Sequence, residues 1–152
     1  QLLNDGEPEK AKEILDLAME KMPIDIFEFY TLVEPYVSGY YEIGEKERAR
    51  EIWNDLAKKY QEQLTYLSGL SKERQYKNYE AIYSNMEKYR SLLDLLVINR
   101  EEELVREKAE EFNSYIRLFP ELYGEDEAEE PERLETVAKP AITIPADSQD
   151  VE

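Results

Sequence analysis

The sequence contains no cysteine and no histidine. Zinc, haem and iron–sulfur sites ordinarily draw on thiolate and imidazole, so such centres are excluded in their usual form and no cofactor is expected. Thiol nucleophiles, disulfide frameworks and triads built on an imidazole base go with them. Lack of cysteine suits a reducing cytosol or a periplasm equally. Glycine is scarce, with five in 152 residues, and together with abundant Glu, Lys, Leu and Ala this favours long helices. Long hydrophobic runs are missing too. The most apolar stretch, Leu92 to Ile98, is interrupted by Asp94 and is far too short to span a bilayer. Positive charge is in deficit: 19 Lys and Arg face 36 Asp and Glu, a net charge of −17. Such a chain repels phosphate backbones and anionic lipid, so nucleic-acid binding and direct lipid-surface binding are not expected.

The imbalance is uneven. Residues 121–152 carry eleven acidic and two basic side chains, a net of −9, leaving −8 for residues 1–120. The acidic stretch also holds Pro131, Pro140 and Pro145 and has no aromatic residue after Tyr123. It reads as a mostly irregular tail that cannot bury enough apolar surface to offset its ordering entropy. Its one mildly apolar strip is Val137 to Ile144. The expected organisation is therefore a helical domain over 1–120 and an acidic, Pro-containing tail over 121–152.

Helical periodicity recurs along the first 120 residues. Asp5-Gly6-Glu7-Pro8 signals a helix start, with Ala11, Ile14, Leu15, Ala18 and Met22 expected inward and Pro23 ending the helix. Asp25 can cap a second helix carrying Phe29, Leu32, Val33, Tyr36, Val37 and Tyr40, in which Pro35 predicts a kink or two short helices meeting. Gly44 stops it. A third helix runs from Glu45 to about Leu67, with Ala49, Ile52, Trp53, Leu56, Tyr60, Leu64 and Leu67 inward. After Ser68-Gly69-Leu70, Ser71 caps a long helix to Ile98, with Tyr76, Tyr79, Tyr83, Met86, Tyr89, Leu92, Leu93 and Leu96 expected inside. A last helix spans Glu101 to Phe119, stopped by Pro120. No segment alternates with the period of a strand. The predicted class is all-α, with about five helices.

Within this pattern lies a repeat. Gly6-Glu-Pro-Glu-Lys-Ala11-Lys-Glu-Ile-Leu15 matches Gly44-Glu-Lys-Glu-Arg-Ala49-Arg-Glu-Ile-Trp53, identical at six of ten positions and offset by 38 residues. A period of this size suits stacked helical hairpins. Glycine ends one helix, a small alanine lets the paired helices approach, and a large residue four positions on fills the space between hairpins. Gly6, Ala11, Leu15, Ala18 and Pro23 resemble the second helix of a tetratricopeptide repeat, and Gly44, Ala49, Trp53 and Leu56 repeat it without the closing proline. A degenerate third copy, its glycine replaced, falls in the final two helices. The resemblance implies antiparallel hairpins stacked as a short solenoid. It also makes Gln1-Leu2-Leu3-Asn4 the last turn of a helix that began upstream.

Longer phrases carry a second resemblance: Lys10 to Pro23, Glu34 to Tyr41, Lys59 to Tyr66 and Phe112 to Phe119. Together they resemble the soluble C-terminal region of a Bacteroidetes family of multi-pass membrane proteins regarded as glycosyltransferase-like. This implies a soluble domain tethered to a bacterial membrane, on the periplasmic side, whose parent's chemistry lies elsewhere. No catalytic residue is carried over.

Side chains that could do chemistry are weak candidates. Glu101-Glu102-Glu103 at a helix start is read as favourable interaction with the helix dipole. The Glu125-to-Glu130 acidic run lacks the ligand spacing and turn glycine of a calcium loop. Ser38 and Ser68, each before a glycine, have no histidine to activate them. No catalytic, cofactor-binding or metal residue is assigned, and the fragment is not expected to be an enzyme. The tyrosines leave two readings open. Tyr30, Tyr36, Tyr40 and Tyr41 cluster where an inner helix would line a groove, and could face a peptide or glycan; equally they could pack the core. The function expected is a non-catalytic interaction or scaffolding module. Its partner would be a protein, a peptide or the membrane-embedded part of its own parent. The alternative is a carbohydrate- or peptide-binding domain accessory to a glycosyltransferase-like membrane enzyme.

Overall fold

A computed structural model describes residues 7–24 and 29–124. Gly6, Asp25 and everything after Gly124, including the Val137–Ile144 strip, lie outside the described residues. Among the described residues seven α-helices follow one another: α1 (Pro8–Lys21), α2 (Glu34–Glu42), α3 (Lys46–Ser68), α4 (Lys72–Lys77), α5 (Tyr79–Ile98), α6 (Glu102–Ile116) and α7 (Pro120–Tyr123). A 3₁₀ turn at Phe29–Leu32 precedes α2. No strand occurs among the described residues, and the chain is all-α.

The helices pack mainly in chain order: α1 on α2, α2 on α3, α3 on α5 and α5 on α6. The neighbours run antiparallel, as residue pairings show. Early α1 meets the end of α2, with Lys12 near Glu45 and Asp16 bonded to Tyr40. Early α3 meets late α5 through an indole N–H of Trp53 that donates 2.6 Å to the Leu92 carbonyl. Tyr89 of α5 packs edge-on against Phe112 and Tyr115 of α6. The core runs through all of these layers and is thickest around α3, whose whole expected stripe from Ala49 to Leu67 is buried.

Local chemistry accounts for the boundaries. Pro8 occupies the first turn of α1 and Pro35 the first turn of α2, where no N–H is needed. The expected helix from Asp25 through Pro35 is therefore replaced, from Phe29 on, by a 3₁₀ turn that ends at exposed Leu32 and a helix that opens at Glu34. At Gly44 the chain takes φ +84°, the Gly44 N–H reaches the Tyr41 carbonyl, and the Glu45 N–H reaches back to Tyr40. This double bond pattern closes α2 and reverses the chain. The same pattern recurs after α5, where Arg100 N–H bonds Val97 and Glu101 N–H bonds Leu96. There the left-handed position belongs to Arg100, at φ 59°. The turn therefore aligns Gly44 with Arg100, and the helices beyond it then match in burial. Ala49, Trp53, Leu56, Ala57 and Tyr60 correspond to Val105, Ala109, Phe112, Asn113 and Ile116, all buried.

Several expectations need correction. The helix expected from Ser71 to Ile98 breaks at Asn78, dividing α4 from α5. Ser71 sits at the cap position but makes no side-chain cap bond; the Gln75 amide instead donates to the carbonyls of Ser68 and Leu70, tying α4 to the end of α3. The inward stripe of α5 begins at Ile82, not at the tyrosines. Tyr76, Tyr79 and Tyr83 are exposed, while Ile82, Met86, Tyr89, Leu92, Leu93 and Leu96 are buried. An aliphatic side chain gains more from burial than a phenol that must still satisfy its hydroxyl, so Ile82 takes the inside. On α1, Ile14 is exposed and Met19 buried, so the apolar face is rotated from its expected position. Pro120 does not end the last long helix. That helix closes at Ile116, Phe119 is buried, and Pro120 opens α7, whose Leu122 and Tyr123 pack on the core. The folded body thus extends past the expected boundary at residue 120.

Candidate functional site

The Gly39 position in α2 shapes the contact with α1. A methyl group added there would lie 3.0 Å from Cδ2 and 3.3 Å from Cδ1 of Leu15. Leu15 therefore fills the space between α1 and α2 because residue 39 has no side chain. Where α1 and the start of α3 diverge, they leave a shallow cleft of about 550 Å³. Its walls carry Lys12 and Arg48 against the carboxylates Asp16, Glu20, Glu45, Glu47 and Glu51. The Tyr40 hydroxyl donates 2.6 Å to Asp16 at its edge. That bond holds the Asp16 carboxyl below its ordinary pKa, assisted by Lys12. Burial, then the bond to Asp16, pushes the Tyr40 phenol up to about 12. Burial pulls Lys12 down, but Asp16 and Glu45, each 3.5 Å from its ammonium, outweigh it and leave the pKa raised.

A second polar cluster joins α3 to the start of α6. The Arg50 guanidinium donates two bonds, 3.0 and 2.8 Å, to the two carboxylate oxygens of Glu101. This forked geometry is the strongest form of such a pair. It holds Glu101 below the ordinary carboxylate range. Glu101 stands just before α6 and Glu102 and Glu103 lie in its first turn, as the dipole reading required. The Tyr41 hydroxyl is buried without a hydrogen-bond partner, and burial followed by the nearby Glu101 charge raises it to about 12. The one hydroxyl set against a carboxylate in these clusters, that of Tyr40 on Asp16, belongs to a buried side chain whose phenol is pushed up rather than activated. No group of three or more Asp or Glu that could hold a metal occurs among the described residues.

The four tyrosines expected at a groove do not share an exposed surface. Tyr40 and Tyr41 are buried in the core, so their ring faces are closed to any ligand. Tyr30 is half-buried and stands edge-on to buried Tyr60, with ring centres 5.3 Å apart. Tyr36 is half-buried against the core. Among the repeat residues, Ala11, Ala49, Trp53 and Leu56 are buried, Leu15 and Ala18 half-buried, and Pro23 and Gly44 exposed. The aromatic surface lies elsewhere, on Tyr76, Tyr79 and Tyr83, with Tyr79 and Tyr83 stacked 6.1 Å apart at 25°. Helical spacing alone could not find it, because the same spacing fits an inward stripe. The signal was the run of polar neighbours from Ser71 to Asn78, which leaves α4 no apolar face to bury.

No family model, no curated protein and no solved structure matches the chain.

Proposed function

We propose that the chain is a non-catalytic helical-repeat module that holds another protein or another part of its own parent. The observation that carries this reading is a difference between equivalent positions. Ile14 and Ile52 occupy the same place in the 38-residue repeat, yet Ile52 is 1% exposed and Ile14 55%. The helix bearing Ile52, α3, is flanked by α2 and α5, whereas α1 has substantial packing on α2 alone among the described helices. Leu17, one turn along α1, is likewise exposed. An apolar flank on the end helix of a stack is where a further helix would pack.

Attachment to a membrane-embedded parent on the periplasmic side rests on the phrase resemblance. Among the described residues no helix is long and apolar enough to cross a membrane, so the parent's spans would be supplied by other sequence. The accessory carbohydrate-binding reading loses its main residues, since Tyr40 and Tyr41 present no free ring face.

The test places a photo-crosslinking amino acid at position 14 or 17 in the full-length product of the gene, in its own membrane. A single crosslinked segment from both sites, from the parent or from one other protein, is expected, and Ile14→Asp should abolish the crosslink from position 17. Free solvent exposure at both sites in the full-length protein would refute the reading. So would substrate turnover by the isolated chain that is lost on carboxylate substitution.

A further inference from the structure

Helix α1 is held to the body on one side only. Its substantial packing is on α2 alone among the described helices. Over fourteen residues it buries only Ala11 and Met19, each still 8% exposed, whereas α6, one residue longer, buries Val105, Ala109, Phe112, Asn113 and Ile116. Ile14 and Leu17 face solvent and add nothing to the hold. Among the described residues Lys12 alone of the α1 lysines reaches beyond the helix and its cap, to Glu45; Lys10 and Lys21 pair with neighbouring Glu7 and Glu20. The core itself hardly depends on α1. Met19 is its one buried contribution, and every other buried core residue lies at Val33 or beyond.

What closes α1 on α2 is a pair of neighbours against a pair of neighbours. Leu15 fills the space beside Gly39, where an added methyl group would stand 3.0 Å from it. Asp16 accepts a 2.6 Å hydrogen bond from the Tyr40 hydroxyl. A helix of this length is marginal in water by itself, so α1 unwinds when it leaves α2. The layers from α2 to α6 keep their mutual packing without it. We propose that α1 is a strap that opens as a separate unit: it leaves α2 and unwinds in one step while α2 to α6 stay folded. Closed, it seals Tyr40, which is fully buried. Open, it bares the Tyr40 hydroxyl and the hollow at Gly39, so this face of α2 is reachable only in the open state. The inference is independent of the scaffolding reading, which concerns the outer flank of α1; a strap that never opens leaves that reading standing.

The test is native-state amide hydrogen exchange of this chain in low urea, read residue by residue by NMR. The hydrogen-bonded amides of α1 should share one opening, with a weaker urea dependence than those of α3 and a rate higher by about a hundredfold or more, while the α2 amides stay with α3. Tyr40→Phe keeps the ring and removes the donor to Asp16, so it should speed α1 exchange about tenfold. Ile82→Val on α5 weakens packing that the closed and open forms share. It should speed exchange in α3 and α5 about fivefold and leave α1 unchanged. Amides of α1 that follow α3 in rate and urea dependence would overturn the proposal. So would equal acceleration of α1 and α3 by Ile82→Val, or an α1 rate that Tyr40→Phe does not move.

Discussion

Replacing Gly39 by alanine sets two effects of similar size against each other, and the structure says when each wins. Within a helix, glycine to alanine stabilises by about 0.5–1 kcal/mol through backbone entropy. Gly39 lies inside α2, so this gain applies. The new methyl would sit 3.0 and 3.3 Å from the two terminal carbons of Leu15. Comfortable carbon contacts lie near 3.5–4.0 Å, so Leu15 must move by about half an ångström or leave its rotamer, at about 0.5–1.5 kcal/mol. In the natural background the two roughly cancel, and Gly39→Ala should change stability by less than about 0.5 kcal/mol. Leu15→Ala removes the obstruction, at a cost of about 1–2 kcal/mol for a half-buried leucine. In that background Gly39→Ala should show its full gain. The coupling between the two sites is then about 0.5–1 kcal/mol. Urea unfolding followed by the fluorescence of Trp53, the single tryptophan and a buried one, reads all four proteins. Equal effects of Gly39→Ala in both backgrounds would refute the α1–α2 contact, and with it the role assigned to Leu15.

Four further outcomes follow from the same packing. Arg100→Gly should stabilise the protein by about 1 kcal/mol, because Arg100 holds a left-handed conformation that glycine adopts without strain; a loss in thermal unfolding would show that the Arg100 side chain makes compensating contacts. Ala49→Trp should cost about 1–3 kcal/mol or more by overfilling a fully buried site, and an unchanged melting temperature would contradict the repeat alignment. The lowered pKa of Glu101 means that its pairing with Arg50 contributes fully above the ordinary carboxylate range and is lost as pH falls below it. Accordingly, Glu101→Gln should flatten the acid limb of a stability-against-pH curve, and parallel limbs would count against the pair. Burial raises the phenols of Tyr40 and Tyr41 to about 12 and pushes those of Tyr60 and Tyr89 up further. Stability from these groups is complete below about pH 10 and lost as pH rises through the folded values. Absorbance at alkaline pH should therefore rise in two steps, the second coinciding with loss of helical circular dichroism; one smooth titration would refute their burial.

The expectation of a module that holds rather than reacts drew on two kinds of signal of unequal strength. Residue types absent from the chain are visible at once, and they restrict chemistry whatever the fold. Residues that might bind are harder to identify. Tyr40 and Tyr41 looked like groove residues because they sit on an inner helix, but α1 and α3 close over them, and one phenol is used to bond Asp16 instead.

From the sequence alone came the all-α class, the period of 38, the proline boundaries of α1, the Gly44 end of α2, and the inward residues of α3 except Ala57. These are local matters. A helix with one well-defined apolar stripe can face a core in only one way. Tertiary structure decided the rest. Helices α1 and α5 have apolar residues around more than one face, so several rotations bury similar area. Which one occurs depends on the neighbour: Leu15 against Gly39 sets α1, and α3 and α6 select Ile82 over Tyr83. The equivalence of Gly44 and Arg100 was hidden for a related reason. A backbone turn can repeat while its residue changes, because the hydrogen bonds that define it belong to the main chain.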